Sequence, residues 1–163
     1  MMEDFDNEEI CRDVFEGETL SIQVLDRDGV RKINHTKPYV IISITDPEKR
    51  HASLMKSENL TGTLQLKCND VSESVAKIKS VAASLGAFSE EMAAQVAEFA
   101  TNQIAKGTTL FVINCEAGIS RSAGIASALS WHYNHDESFF MVHYKPNQWI
   151  RKQMLKALKE INE

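Results

Sequence analysis

Residues 109–131 read TLFVINCEAGISRSAGIASALSW, and this stretch decides how the chain folds. Its first part, residues 109–113, is an apolar run with β-branched side chains, which predicts a buried strand. Residues 121–134 are mostly small or apolar and contain no proline, so they predict a helix. The short loop between strand and helix would gather backbone N–H groups at the helix start, an arrangement that binds anions.

Cysteine and arginine stand six positions apart in this loop, at Cys115 and Arg121. A thiol attacks only as its thiolate, and the helix dipole together with inward N–H groups would stabilise that anion. Arg121 offers a planar fork of donors that grips two phosphate oxygens and keeps its charge. Gly118 permits backbone angles that other residues avoid, and Ser122 can donate a hydrogen bond to the sulfur. The pattern predicts a thiolate placed to attack a bound phosphate group.

The string CEAGISRSAG, residues 115–124, resembles the signature loop of the cysteine-dependent protein phosphatases, most of all the compact, single-domain dual-specificity and tyrosine types. The resemblance implies a phosphomonoester hydrolase with a cysteinyl-phosphate intermediate. Cys115 would be the nucleophile, Arg121 would clamp the phosphoryl group, and Ser122 would help the thiolate leave. The residues expected to bind phosphate oxygens, mostly through backbone N–H groups, are Glu116, Ala117, Gly118, Ile119 and Ser120.

The same resemblance implies the class of substrate and whether a cofactor or metal is needed. The expected substrate is a phosphorylated protein or peptide, and a phosphate or sulfate anion is expected in the loop. No cofactor and no metal are expected, because arginine and backbone dipoles can neutralise the phosphoryl charge. His132 and His135 lie one helical turn apart, but no further ligand cluster joins them, so they are interpreted as surface histidines.

Attack on a phosphate ester expels an alkoxide or phenoxide, which an acid must protonate. The family carries an aspartate after the strand that precedes the signature strand, and Asp70 follows the predicted strand 60–67. The resemblance thus implies Asp70 as general acid and then as general base. A cap of the following helix is the other interpretation of Asp70. Asp46, after the predicted strand 39–45, is the second candidate for the acid.

Two asparagines are expected to support the loop. Asn114 stands where the family usually has histidine before the cysteine, and an amide hydrogen-bonds but cannot become charged. Asn147, after Pro146, resembles an asparagine that braces the loop in relatives, although a simple helix start explains it equally well. Because Asn114 departs from the family, a catalytically weak or inactive phosphate-binding module is the alternative function. A redox or arsenate-reducing enzyme ranks third.

Composition narrows the class of protein. The chain has 163 residues, of which 43% are hydrophobic, as expected for one domain. Its net charge of -5 argues against general nucleic-acid binding. Three cysteines without paired spacing indicate a reducing compartment. No signal-peptide pattern and no membrane-spanning run are apparent, so a cytoplasmic protein without membrane association is expected, its oligomeric state left open.

Strands alternate with helices along the chain, which predicts an α/β sandwich with a mostly parallel sheet of about four to five strands flanked by helices. The resemblance implies the same, dual-specificity-phosphatase-like fold. An acidic, flexible arm is expected over residues 1–18, and the catalytic domain over residues 19–163. The predicted strands cover residues 19–25, 39–45, 60–67 and 109–113. The predicted helices cover residues 30–35, 72–85, 89–106, 121–134, 137–143 and 147–161.

Overall fold

The structure is a computed structural model that describes residues 11–162. Its strands are β1 (Val14–Glu16), β2 (Ser21–Leu25), β3 (Tyr39–Thr45), β4 (Leu60–Lys67) and β5 (Leu110–Asn114). Its helices are α1 (Arg27–Lys32), α2 (Glu73–Ala76), α3 (Lys79–Ser84), α4 (Glu90–Ala105), α5 (Arg121–Asn134), α6 (Ser138–His143) and α7 (Gln148–Ile161). None of the helices in this described range has the length and apolar character needed to cross a membrane.

The five strands form one sheet in the order β1-β2-β5-β3-β4. Strand β1 runs antiparallel to β2, and every other neighbouring pair is parallel. The predicted mostly parallel α/β architecture is therefore confirmed. Because β2, β3 and β5 run the same way, their carboxyl ends share one edge, where Leu25 and Ser43 flank Asn114 in register. The loop that follows Asn114 projects beyond this edge.

Alternating side chains of the central strands pack into two separate cores, because successive residues of a strand point to opposite faces. On the first face, Ile42 and Ile113 pack with residues of α4, α5 and α7. On the second face, Ile41 and Val112 pack with Val30 of α1 and with residues of the loop 46–58. Both faces of the sheet are covered, which explains the long apolar runs of β3 and β5.

The beginning of the described chain adds an edge strand to the sheet. Val14–Glu16, within the segment predicted as an arm, pairs antiparallel with β2, while residues 1–10 lie outside the described residues. The first helix was predicted over residues 30–35, but in the structure it covers Arg27–Lys32. Helix α1 begins at Arg27 because the Asp26 side chain caps it, accepting a hydrogen bond from the Gly29 N–H at 2.6 Å.

The single helix predicted over residues 72–85 was wrong. The structure has two short helices there, α2 and α3, with Ile78 in extended conformation between them. Ile78 is 52% exposed and Leu85 44% exposed, so the apolar spacing that suggested one helix does not correspond to a buried face. The β-branched side chains of this segment disfavour a helix, and little tertiary packing compensates.

Candidate active site

The loop between β5 and α5, residues 115–121, is called the cysteine loop below. Three of its carbonyls accept hydrogen bonds from backbone N–H groups of other segments: Glu116 from Arg27 (3.1 Å), Ile119 from Lys145 (3.0 Å) and Ser120 from Asn147 (2.9 Å). In a trans peptide the C=O and the following N–H point in opposite directions. The N–H groups that follow these carbonyls therefore point away from the segments that donate to the carbonyls. Within the described chain, the backbone N–H groups of residues 116–121 donate to no protein acceptor. Free donors gathered in this way suit an anion.

Gly118 allows the cysteine loop to pack against the end of β2. Its φ is +66°, in the left-handed region that side chains avoid. A Cβ atom at this position would lie 2.6 Å from the Asp26 nitrogen and 2.6 Å from the Leu25 carbonyl carbon. Both contacts involve backbone, which cannot move aside as a side chain could. Glycine is therefore required here by conformation and by space together.

We expect Gly118→Ala to lower the free energy of unfolding by about 2 kcal/mol or more, because strain and a backbone clash add together. Gly107→Ala is the matched control, since Gly107 also has a positive φ of 92° but nothing within 4 Å of an added Cβ. The control should cost only the conformational strain, about 1 kcal/mol. Urea denaturation of both variants measures the difference. Equal costs would contradict the close approach of the loop to β2.

Cys115 lies at the inner end of the loop and is 2% exposed. Its Sγ is 3.1 Å from the Oγ of Ser122, in the first turn of α5. This contact lets the hydroxyl donate a hydrogen bond to a thiolate. The structure therefore brings together the two residues that the signature pattern paired.

The Arg121 guanidinium is buried and fixed from one side. Its Nη1 donates to Asp46 Oδ1 at 2.7 Å and to the Cys68 carbonyl at 2.7 Å. Burial alone would lower the pKa of Arg121, but the hydrogen bond and charge of Asp46, with the nearby cysteines, outweigh it and raise the pKa. The Nε and Nη2 donors have no protein acceptor among the described residues, so they are available to an anion.

Asp46 was the second candidate for the acid, and its environment argues against that role. Burial alone would raise the pKa of its carboxyl, but Arg121 and Lys49 outweigh burial and hold the pKa below its ordinary value of 3.8. Lys49 Nζ lies 3.4 Å from Asp46 Oδ2. A carboxylate held in this way is ionised at neutral pH and has no proton to give. The geometry suits Asp46 to positioning Arg121.

Replacing Asp46 with asparagine is expected to lower the free energy of unfolding by about 1 to 3 kcal/mol at pH 7, because a charge-assisted hydrogen bond is weakened. The folded-state pKa is depressed, so this stabilisation is fully present above pH 3.8 and is lost as the pH falls through the lower folded value. The difference in Tm between wild type and Asp46→Asn should therefore shrink below about pH 4. A difference that stays constant from pH 7 to pH 3 would contradict the ion pair.

Asp70 is exposed and sits against the cysteine loop. Its Oδ1 accepts hydrogen bonds from Ser120 Oγ at 2.9 Å and from Asn147 Nδ2 at 2.7 Å. Helix α2 begins after Ser72 and has no side-chain cap, so Asp70 does not serve as its cap. The structure thus brings the acid that the resemblance implied to the side of the loop, with Oδ2 left free of protein donors within the described chain.

Asn147 precedes the first residue of α7, its backbone N–H donates to the Ser120 carbonyl of the cysteine loop, and its side chain contacts Asp70. Its Oδ1 caps α7 by accepting from the Ile150 N–H at 2.9 Å, while its Nδ2 donates to Asp70 and to the Val71 carbonyl. Gly124 of α5 makes this placement possible, because a Cβ there would lie 2.8 Å from the Asn147 carbonyl oxygen. The start of α7 can therefore lie directly beside the cysteine loop.

Asn114 and Glu116 flank Cys115 in the chain and have different surroundings. Asn114 is 1% exposed, and its Nδ2 donates to the Cys115 carbonyl at 3.4 Å. Glu116 pairs at the surface with Arg27 at 3.0 Å and with Lys49 at 3.6 Å. Neither cation could be predicted from the sequence, since Arg27 lies 89 positions from Glu116 and no local pattern links them.

Cys68 lies close to the site and is completely buried. Burial is the largest influence on its thiol and raises the pKa to about 12. At neutral pH this thiol is protonated, and a protonated, buried thiol is a poor nucleophile. Cys115 is therefore the better placed of the two cysteines for attack on a ligand.

Comparisons with known proteins agree with this geometry at the level of fold. No protein-family model and no curated protein matches the chain. The solved human tyrosine phosphatase-like serine/threonine/tyrosine-interacting protein is 16% identical, with 93% of this chain and 97% of that chain covered and a TM-score of 0.55. Tk-PTP in its active form is 14% identical, covering 90% and 95%, with a TM-score of 0.52. A mouse putative dual specificity phosphatase complexed with zinc tungstate is 11% identical, covering 91% and 87%, with a TM-score of 0.51. The fold that the signature-loop resemblance implies is confirmed: this chain has the fold of the tyrosine and dual-specificity phosphatases.

Proposed function

We propose that this protein is a phosphomonoester hydrolase of the protein tyrosine or dual-specificity type, acting through a cysteinyl-phosphate intermediate. One observation carries the proposal. Cys115 Sγ contacts the Ser122 hydroxyl at the base of a loop whose N–H groups at residues 116–121 have no protein acceptor in the described chain. This combination provides a nucleophile and a cradle for the three phosphoryl oxygens in one place.

In the first step, the Cys115 thiolate attacks phosphorus and the bond from phosphorus to the ester oxygen breaks. The free N–H groups of residues 116–121 and the unoccupied donors of Arg121 stabilise the charge that spreads over the phosphoryl oxygens. Asp70 transfers its proton to the departing oxygen, through the Oδ2 that no protein donor in the described chain engages. Oδ1, held by Ser120 and Asn147, keeps the carboxyl beside the loop.

In the second step, a water molecule attacks the phosphorus of the cysteinyl phosphate and the sulfur–phosphorus bond breaks. Asp70, now ionised, takes a proton from that water and is thereby restored to its acid form. Ser122 stabilises the departing thiolate by a hydrogen bond across the 3.1 Å contact. Phosphate leaves and the enzyme returns to its starting state, with no cofactor or metal in either step.

A phosphate-binding module without turnover is the second candidate function. Asn114 favours it, because this neutral amide stands where relatives usually carry histidine before the cysteine. Its contact with the Cys115 carbonyl, 3.4 Å from Nδ2, is long for a hydrogen bond. Such a module would still use Arg121 and the N–H groups of the loop, so both candidates predict phosphate recognition and differ in chemistry.

Phosphate release from a panel of substrates tests the proposal. The panel contains phosphotyrosine, phosphoserine and phosphothreonine peptides, a phosphoinositide and an RNA with a terminal phosphate. We expect release from one or more phosphopeptides and none from the RNA. If no member is hydrolysed but phosphopeptides bind, and Arg121→Ala abolishes that binding, the module without turnover is the correct function. Absence of both hydrolysis and binding would reject both candidates.

The three cysteines are free thiols, which fits a reducing environment, and we propose the cytoplasm as the location. The default substrate there is a phosphorylated protein. None of the five residues between Cys115 and Arg121 is basic, so the cysteine loop offers no side-chain cation for the extra phosphates of an inositol headgroup.

A further inference from the structure

Three buried polar side chains lie on the second face of the sheet, at the edge from which the cysteine loop departs. Ser43 and Thr45 belong to β3 and are fully buried, and Asn114 belongs to β5 and is 1% exposed. They continue the alternation that places Ile41 and Val112 on this face, under the segment that carries the buried Ala52. All three are therefore enclosed between the sheet and its cover.

Each of these side chains has one oxygen atom without a hydrogen-bond partner. Ser43 Oγ, Thr45 Oγ1 and Asn114 Oδ1 make no hydrogen bond with any protein group of the described chain. Only one other buried side-chain atom in that range shares this state, Gln153 Oε1. Buried polar atoms are almost always hydrogen-bonded, to protein or to ordered water, so a cluster of this kind points to a small bound ligand such as water.

The register of the strands sets the size of that ligand. Ser43 and Asn114 are direct partners on neighbouring parallel strands. Although they share a register position, Ser43 Oγ and Asn114 Oδ1 are not hydrogen-bonded to each other in the structure. A single water is small enough to lie between two side chains in register, and Thr45, two residues further along the same face, is the candidate third partner. Buried waters typically make about three hydrogen bonds.

We propose that Ser43, Thr45 and Asn114 bind an internal water that ties the end of β3 to the root of the cysteine loop. Thr45 precedes Asp46, which holds Arg121, and Asn114 precedes Cys115. The water therefore fixes the segment that orients the guanidinium relative to the segment that carries the sulfur. The binding of this water and its effect on the alkylation of Cys115 are independent of the proposed function, whereas an effect on turnover rests on that function.

Thermal unfolding of Ser43→Ala and Thr45→Val tests the water, because hydroxyls that bind water and hydroxyls without any partner predict opposite signs of the change in Tm. If the hydroxyls bind water, their removal takes away a hydrogen bond, and Tm should fall by about 2–4 °C. If they lie unpartnered among apolar groups, their removal relieves a penalty and Tm rises. Thr63→Val, with its side chain exposed on β4, is the matched control and should leave Tm nearly unchanged. A Tm that rises or stays constant in the Ser43 and Thr45 variants overturns the proposal.

A crystal structure separates water from a direct contact. The expected result is an ordered water within hydrogen-bond distance of Asn114 Oδ1 and of at least one of the two hydroxyls. A direct bond between Ser43 and Asn114 with no water beside it would overturn the proposal even if Tm falls.

Alkylation of Cys115 by iodoacetamide at neutral pH tests the effect on the loop. We expect the rate, followed by mass spectrometry at Cys115, to be about two- to fivefold lower in Ser43→Ala and Thr45→Val than in wild type or Thr63→Val. An unchanged rate in variants whose Tm has fallen would overturn the link to the loop. Alkylation requires no phosphate substrate, so this result is independent of whether the protein hydrolyses phosphate esters.

Discussion

Replacing Cys115 with serine should lower phosphate release from an aryl phosphate by at least about a thousandfold, to the level of the buffer. Serine keeps the small volume and the contact with Ser122, but an alcohol is not ionised at neutral pH and cannot take the place of the thiolate. Binding of phosphate should persist, because the N–H groups of residues 116–121 and the free donors of Arg121 remain. The measurement is kcat with the aryl phosphate, together with the dissociation constant for inorganic phosphate.

Cys11→Ser is the control for this experiment. Cys11 is only partly buried, at the margin of the core, and its carbonyl accepts a hydrogen bond from the Tyr144 hydroxyl at 2.8 Å. The Cys11→Ser variant should have the wild-type kcat with the aryl phosphate. Residual activity above one tenth of wild type in Cys115→Ser would mean that another group performs the attack, and the proposed mechanism would be wrong.

Replacing Asp70 with asparagine has the second largest expected effect. Proton transfer by a positioned side chain contributes about a hundredfold to ten-thousandfold, so kcat for a phosphoserine peptide should fall by about a hundredfold or more. The loss should be smaller for an aryl phosphate, whose phenoxide leaves with less help from an acid. An asparagine Oδ1 can still accept from Ser120 and Asn147, so the fold and KM should change little.

The comparison of leaving groups makes the Asp70 result specific to acid catalysis. Asp28→Asn is the matched control, because Asp28 is exposed on α1 and its ion pair within residues 11–162 is with Arg31, at 3.3 Å. That variant should keep wild-type kcat on both substrates. If Asp70→Asn kept full activity on the phosphoserine peptide, the acid would have to be sought elsewhere.

The strands and helices that depend on residues close in sequence could be predicted from the spacing of apolar and β-branched side chains. The β-branched run YVIISIT gives β3 over the predicted residues, and the small residues after Arg121 give α5 over the predicted range. Strand β1 could not be predicted in the same way, since its three residues form a strand only by pairing with β2. The division of residues 72–85 into α2 and α3 also depends on tertiary packing, because apolar spacing does not reveal whether the apolar side chains find a surface to cover.

The residues of the candidate site also fall into those that the local sequence predicts and those that depend on contacts between distant parts of the chain. The spacing of Cys115, Gly118, Arg121 and Ser122 was sufficient to predict the cysteine loop, because these residues are close in sequence. Asp46 and Asp70 both follow strands that end at the same edge of the sheet, so the sequence could only rank them as acids. Their contacts separate them: Asp46 reaches Arg121 over 75 positions, and Asp70 reaches Asn147 over 77. Contacts at such separation follow from the assembled fold.

Trapping the cysteinyl phosphate at Cys115 is the most direct test of the proposed mechanism. The protein is mixed with an aryl phosphate, quenched in acid within milliseconds, digested and mapped by mass spectrometry. We expect phosphate on the peptide that contains Cys115, more of it in Asp70→Asn because the second step is slower, and none in Cys115→Ser. Steady hydrolysis with no phosphate on Cys115, or with phosphate on another side chain, would rule out a cysteinyl phosphate at Cys115.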